Sequence, residues 1–345
     1  MLNSRFVCDL ALECGFDLAG VAPSGPTPDY DRYRAWAAGG LAGEMGYLAD
    51  HRADLRADPA LLLPGLRSII CVGSLYNGPE PYSTEFDDTG RGWIARYARG
   101  EDYHTAIRRK LEGLASRLLE YKEFEWRACV DTAPLLERSL ARRAGLGWIG
   151  KNTCLINQKA GSWFLLAELL TTLDLEPDSP PPDRCGSCTR CIESCPTDAL
   201  VPSPAGGWQL DARLCISYFT IELRGTIPEQ MREGVGANVF GCDICQDVCP
   251  WNRRAAVRSG DEYSGWVAPP LDTLAELGPE QFREAFRGTA VSRAKYSGFL
   301  RNVAVAMGNS GQAGFREPLS RLAGGDDPLV REHALWALEK LSGTT

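Results

Sequence analysis

The sequence predicts an α+β protein in three parts, and three observations carry that prediction. Residues 1–175 mix helical and strand patterns without a repeating strand–helix–strand rhythm. Residues 176–255 hold two cysteine runs. Residues 256–345 read as helix throughout.

The elements follow in order. Leu2, Phe6, Leu10 and Cys14 share one side of an amphipathic first helix. Arg5, Asp9 and Glu13 interrupt its apolar pattern, so it is not a signal peptide. Phe16 to Ala22 is a short apolar stretch before Pro/Gly punctuation, and helix follows to about Leu48, broken at Gly39-Gly40. Ser68 to Ser74 is β-rich and apolar, as a buried strand should be. Trp93 to Arg96 is a further strand candidate. Asp102 caps a helix to Tyr121, with Ile107, Leu111, Leu114 and Leu118 on one face. Glu125 to Asp131 predicts a strand and Leu135 to Ala144 a helix. Thr153 to Ile156 and Trp163 to Leu173 predict two strands joined by the turn at Gln158–Gly161. Glu176 to Asp183 contains four Pro and marks a linker. In the tail, Leu300–Met307 resembles Val330–Ala337, with Arg301 matching Arg331 and Ala304 matching Ala334. That predicts a HEAT-like pair of helices, the second capped by Asp327 with Pro328 in its first turn.

Composition excludes several classes of function. There is no run of about 18 apolar residues, so no membrane-spanning helix is expected. The address is cytoplasmic, and thirteen Cys there point to metal or redox use. A net charge of −8 argues against nucleic-acid binding by bulk charge, although local basic groups remain.

The cysteine spacing is the sharpest signal. Cys185, Cys188, Cys191 and Cys195-Pro196 form a C-x2-C-x2-C-x3-C-P run, the spacing of bacterial ferredoxins, whose fourth Cys serves the other cluster. Cys242, Cys245 and Cys249-Pro250 form a second run, one Cys short. Cys215 lies between them and supplies the eighth thiolate. One [4Fe-4S] cluster then takes Cys185, Cys188, Cys191 and Cys249, the other Cys195, Cys215, Cys242 and Cys245. This predicts a ferredoxin-like two-cluster domain. The alternative is a pair of four-thiolate zinc sites. Cys8, Cys14, Cys71, Cys129 and Cys154 sit in apolar contexts and read as buried small hydrophobes. No G-x-G-x-x-G follows a strand and no Walker motif occurs, so nucleotide chemistry is excluded.

Seven motifs together resemble the epoxyqueuosine reductase family and occur in that family's order. They are Arg96-Tyr-Ala-Arg-Gly-Glu-Asp-Tyr-His104, Val130-Asp-Thr-Ala-Pro-Leu-Leu-Glu-Arg138, Gly147-Trp-Ile-Gly-Lys-Asn152, Gly161-Ser-Trp-Phe-Leu-Leu-Ala-Glu168, the first Cys run, Cys215-Ile-Ser-Tyr-Phe-Thr-Ile-Glu222 and Gly241-Cys-Asp-Ile-Cys-Gln-Asp-Val-Cys-Pro-Trp-Asn252. A more distant likeness is to reductive dehalogenases, which leaves a small-molecule cobalamin reductase as the alternative function.

The family resemblance implies a mixed α/β cobalamin-binding domain over residues 1–175. It implies tRNA carrying epoxyqueuosine at the wobble position as substrate, and reduction of the epoxide to the alkene with two electrons and two protons. It implies Asp131 as proton donor and Tyr103 and His104 at the substrate pocket. Arg56, Ala95, Asp131, Lys151, Asn152 and Ser217 fall in segments that line the cobalamin. A free Asp ionises near pH ~3.9, so Asp131 needs apolar burial or a proton relay, and its neighbours point to burial. On local sequence alone, Asp131 reads as a helix cap or turn residue. Arg142 and Arg143 are among the basic groups available to tRNA, and Trp251 could stack on an unpaired base. The remaining expectations are an unidentified low-potential electron donor, no membrane partner and a monomer.

Overall fold

The computed structural model describes residues 2–258 and 266–343. The front part runs α1 (Ser4–Glu13), β1 (Leu18–Pro23), α2 (Tyr30–Ala38), β2 (Ser68–Leu75), β3 (Trp93–Ile94), α3 (Tyr103–Leu119), β4 (Trp126–Cys129), α4 (Glu137–Arg143), β5 (Trp148–Ile149), β6 (Leu155–Ile156) and β7 (Phe164–Thr171). Four strands form an antiparallel sheet in the order β1-β2-β7-β4.

Both faces of this sheet are covered, which is why β2 is apolar along its length and buried at every residue. Ile70 and Val72 pack with Val7 and Leu10 of α1 and Ile107, Leu111 and Leu114 of α3. Ile69 and Cys71 point the other way, toward Leu140, Ala141 and Ala144. Each fully buried aliphatic contributes about 1.5–3 kcal/mol. Asp102 does cap α3, accepting from the His104 N–H at 3.0 Å.

Local expectation and structure differ in places. The buried face of α1 is Val7, Leu10 and Ala11, while Leu2, Phe6 and Cys14 lie at its margin. Strand β6 does not pair with β7. It turns back onto β5, and only an Asn157–Gly161 bridge closes the turn. The front of the predicted Leu135–Ala144 helix is loop, and α4 starts at Glu137.

The cluster segment contributes α5 (Arg190–Glu193), β8 (Leu200–Pro202), β9 (Trp208–Leu210), α6 (Glu229–Val235), β10 (Asn238–Phe240) and α7 (Ile244–Asp247). The Pro-rich 176–183 segment is tied down, because Asp178 exchanges two 2.8 Å hydrogen bonds with the Val21 backbone. Strand β10 pairs in parallel with β3, so this segment re-enters the front part. Part of its connection to the tail lies outside the described residues.

The tail holds α8 (Leu271–Ala275), α9 (Pro279–Ala285), α10 (Lys295–Asn309), α11 (Arg316–Ala323) and α12 (Pro328–Ser342). The two look-alike segments lie in α10 and α12, which pack on each other. The contact is close at Gly308, where a Cβ would stand 2.8 Å from that of Ala337. Asp327 caps α12, accepting from Leu329 and Val330. The matched arginines differ in surroundings. Arg331 is exposed, whereas Arg301 is buried and donates to the carbonyls of Leu223 (2.9 Å), Gly225 (2.7 Å) and Phe219. Asn302 beside it donates to Thr220 and Val239, both at 2.9 Å. One hydrophobic cluster unites Ile94, Phe240 and Phe299, so all three parts share a core.

Candidate active site

A cavity of about 1250 Å³ opens between the α4 face of the sheet, the cluster segment and the tail. Its wall is aromatic (Tyr33, Trp36, Tyr47, Tyr97) and basic (Arg52, Arg56, Arg142, Arg293). Of the residues singled out from sequence, it gathers Arg56, Tyr103, Asp131, Arg142 and Lys151.

Asp131 sits in the loop that follows β4, at φ +49°, a left-handed conformation that Asp tolerates better than most residues. Its carboxylate neither caps α4, whose N-cap is Leu136, nor closes a turn. Instead Oδ2 lies 3.0 Å from His104 Nε2, and the Tyr103 hydroxyl hydrogen-bonds to it as well. His104 Nδ1 in turn meets Asp102 Oδ1 at 2.6 Å. Arg293, contributed by the tail, stands 3.9 Å from Asp131 Oδ2 and 2.8 Å from Glu222.

This geometry overturns the expectation of apolar burial. Asp131 leaves 41% of its side chain open. Desolvation pushes its carboxyl up, but the His104 hydrogen bond and charge, with Arg293, outweigh that and hold it below the usual range. The hydrogen bond to Asp131, opposed by burial and aided by Asp102, raises His104 above its ordinary value. These opposite shifts favour the shared proton on the imidazole over the carboxylate.

Two carboxyls stand behind it. Glu137 accepts the Asp131 backbone N–H at 2.8 Å, and burial together with the Asp131 charge pushes it up to about 8. Glu168, in the middle of β7, is 0% exposed and is raised well above the usual range by burial and then by the charges of Glu137 and Asp131.

The thiols gather in two groups. Cys191 is raised to about 11 by burial and by Cys249, Cys185 and Cys188 beside it. Cys242 has Cys215 and Cys195 as neighbours, and Cys245 has Cys242 and Cys215. Thiols crowded this way resist ionising together unless a cation offsets their charge, and the irons of a cluster would do so. Among the described residues no three His, Cys, Asp or Glu converge on a single-ion site. The C-x2-C-x2-C-x3-C-P spacing of the first run suits a cluster better than zinc.

Other sequence candidates lie outside the cavity wall. Ala95 is 1% exposed and packs where a Cβ on Gly241 would sit, 2.6 Å away. Asn152 is buried and donates to the Cys245 carbonyl at 3.1 Å, and Ser217 hydrogen-bonds to the Cys215 thiol. Both serve the second cysteine group. Lys151 Nζ donates to the Gly186 and Cys188 carbonyls at 2.8 and 2.9 Å, so it touches both the cavity and the first cysteine loop. Arg143 lies against the Pro26 carbonyl, and Arg142 pairs with Asp29 at 3.4 Å. Trp251 packs edge-on against Trp148, with ring centroids 5.0 Å apart. Cys154 is more than a filler, because its thiol hydrogen-bonds to that of Cys245.

The link from His104 to Asp131 and the arrival of Arg293 had no local signal. Glu168 had one, a charge in the middle of an apolar strand.

Comparison with known proteins gives concordant results. A family model described as "4Fe-4S double cluster binding domain" matches residues 184–252. Another, "Epoxyqueuosine reductase QueG, DUF1730", matches residues 56–132. The chain is 42% identical to the epoxyqueuosine reductase of Xanthomonas campestris pv. campestris, over 95% of this chain and 93% of that one. It is 40% identical to that of Pseudomonas aeruginosa, over 98% and 94%. Among solved structures, an epoxyqueuosine reductase with an epoxyqueuosine-modified tRNA-Tyr stem loop superposes with a TM-score of 0.88 at 30% identity, covering 98% of this chain and 89% of that one.

Proposed function

The chain belongs to the epoxyqueuosine reductase family, and on that premise we propose that it reduces epoxyqueuosine to queuosine at the wobble position of tRNA. Relatives named for this reaction favour it over the halogenated small molecules of a dehalogenase. The change takes up two electrons and two protons and releases the epoxide oxygen as water. The observation that carries the reading is the Asp102–His104–Asp131 chain opening into a large aromatic and basic cavity.

The two thiol groups would hold two [4Fe-4S] clusters, Cys185, Cys188, Cys191 and Cys249 one and Cys195, Cys215, Cys242 and Cys245 the other. Cobalamin would suit the cavity, whose volume and aromatic walls fit a macrocycle, and Tyr33, Trp36, Arg56 and Lys151 are the lining residues that would hold it. When bound, the clusters supply electrons singly and the cobalamin a nucleophilic metal for the epoxide. The residues of the chain manage position and protons. Asp131 presents the proton to the departing oxygen. His104 holds that proton at rest, and Tyr103 fixes the carboxylate from the other side. An acid placed this way gives about 10²–10⁴-fold in rate.

Arg142 lines the cavity and is positioned to meet a phosphate backbone, with Arg143 beside it at the end of α4. The modified base must leave its stack to enter. No helix among the described residues is long and apolar enough to cross a membrane. We place the enzyme in the cytoplasm as a monomer fed by a low-potential donor, with α10 and α12 as its HEAT-like pair. The test is anaerobic incubation of the loaded protein with epoxyqueuosine stem loop and reductant, followed by mass spectrometry of the nucleosides. Queuosine formation is expected. Intact epoxide, with both cofactors bound, would overturn the reading.

A further inference from the structure

Three carboxyls share the α4 face of the sheet, and the reaction as described uses one. Asp131 opens to the cavity. Glu137 is partly buried behind it, and Arg138 and His104 are the other charged groups that reach it. Glu168 lies deeper, registered between Cys71 of β2 and Cys129 of β4, with Arg143 and Arg127 beyond those thiols. Neither Glu168 oxygen has a hydrogen-bond partner among the described residues. A carboxylate buried without donor or cation neutralises instead, so Glu168 carries a proton. A residue that can neither pair nor reach solvent is an odd occupant of a central strand, and a packing role does not call for a carboxyl there.

Proton counting offers one. The Asp131–His104 pair holds a single proton at rest, and the reduction takes two. Resting on the function proposed above, we propose that Glu137 is the source of the second proton, passed through Asp131, and that Glu168 is the buried stop of this path. In the first transfer the His104 N–H proton moves to Asp131 and on to the departing oxygen. In the second the Glu137 O–H bond breaks, Asp131 is protonated again, and it completes water. The departing oxygen is a stronger base than either carboxylate and draws the proton forward. Glu168 already holds a proton and cannot accept another, so the path runs only toward the cavity. The two electrons would be supplied, one at a time, by a low-potential one-electron donor. His104 is left neutral and Glu137 ionised, and each takes one proton back from solvent through the cavity after product leaves. Glu137 is thus a relay residue acting through Asp131, and Glu168 passes no proton. Their separated affinities match the rule that acid and base roles follow divergent environments.

The experiment has two readouts. Infrared spectra of the cofactor-loaded, tRNA-free protein should contain two protonated-carboxyl bands at neutral pH besides that of Asp247, which burial pushes up to about 7 and which Asp247→Asn identifies. One should vanish as pH passes about 8 and be absent in Glu137→Gln. The other should persist and be absent in Glu168→Gln. Gln at 137 can still accept the Asp131 N–H, so the loop is kept. In single turnover, Glu137→Gln should slow alkene formation by about tenfold or more. Above the ionisations of both His104 and Glu137 the wild-type rate should fall with the second power of proton concentration, the Glu137→Gln rate with the first, and Glu137→Asp should restore the second. A Glu137→Gln enzyme with wild-type rate and pH profile, or no protonated band assignable to Glu137, overturns the proposal. If the wild type makes no alkene at all, the functional reading fails, and the bands, which need no tRNA, decide the store alone.

Discussion

Replacing Arg301 by Met tests whether the tail is held to the cluster segment by polar contacts or by its apolar core alone. The guanidinium is 1% exposed and gives three hydrogen bonds to backbone carbonyls of residues 219, 223 and 225. Bonds from a charged donor contribute about 1.5–3 kcal/mol each, so the three together contribute roughly 5–9 kcal/mol. Met removes a cation that burial disfavours, pushing its pKa from 12.5 to about 10, and that returns roughly 3 kcal/mol. The expected net loss is roughly 2–6 kcal/mol, a large share of the ~5–15 kcal/mol that holds a domain folded. The assay is urea unfolding of the anaerobic, cofactor-loaded protein, followed by cluster absorbance and tryptophan fluorescence. Arg301→Lys should fall between wild type and Met, because a point charge cannot span all three carbonyls. A Met variant within ~0.5 kcal/mol of wild type, the scatter of an inert surface change, would refute the reasoning.

Further outcomes follow from the site. Asp131→Asn should keep both cofactors and tRNA binding and lose about 10²–10⁴-fold in alkene formation, and full activity would remove its acid role. Asp102→Asn should preserve the α3 cap but withdraw one of the groups that raise His104. Because His104 must hold its proton, the wild-type rate falls as pH rises through its raised pKa, and the variant should fall at lower pH. An unmoved profile counts against the relay. The loaded chain should carry about eight irons, and Cys215→Ser should lose the signal of one cluster while the other remains. Neutralising Arg142 and Arg143 together should weaken stem-loop binding and flatten its salt dependence.

Features set by neighbours in sequence were legible. The cysteine spacing, the β2 strand, the caps at Asp102 and Asp327 and the look-alike tail helices all depend on residues within a few positions of each other. What depends on partners far along the chain was not. Strand β6 had an apparent partner downstream in β7 and took β5 instead. Asp131 looked destined for burial because its flanks are apolar, yet its surroundings come from His104, upstream in α3, and Arg293, in the tail. Asn152 and Ser217, expected along the cavity, meet Cys245 and Cys215 of the second cysteine group instead. Glu168 was overlooked because an apolar strand pattern absorbs a single charge without changing its period.

The parallel pairing of Trp93 with Asn238 has a consequence for how the protein is made. Those partners leave the ribosome 145 positions apart, so the floor beneath Arg96 and Ala95 stays unfinished until most of the polypeptide has emerged. Non-local pairings form late and slowly.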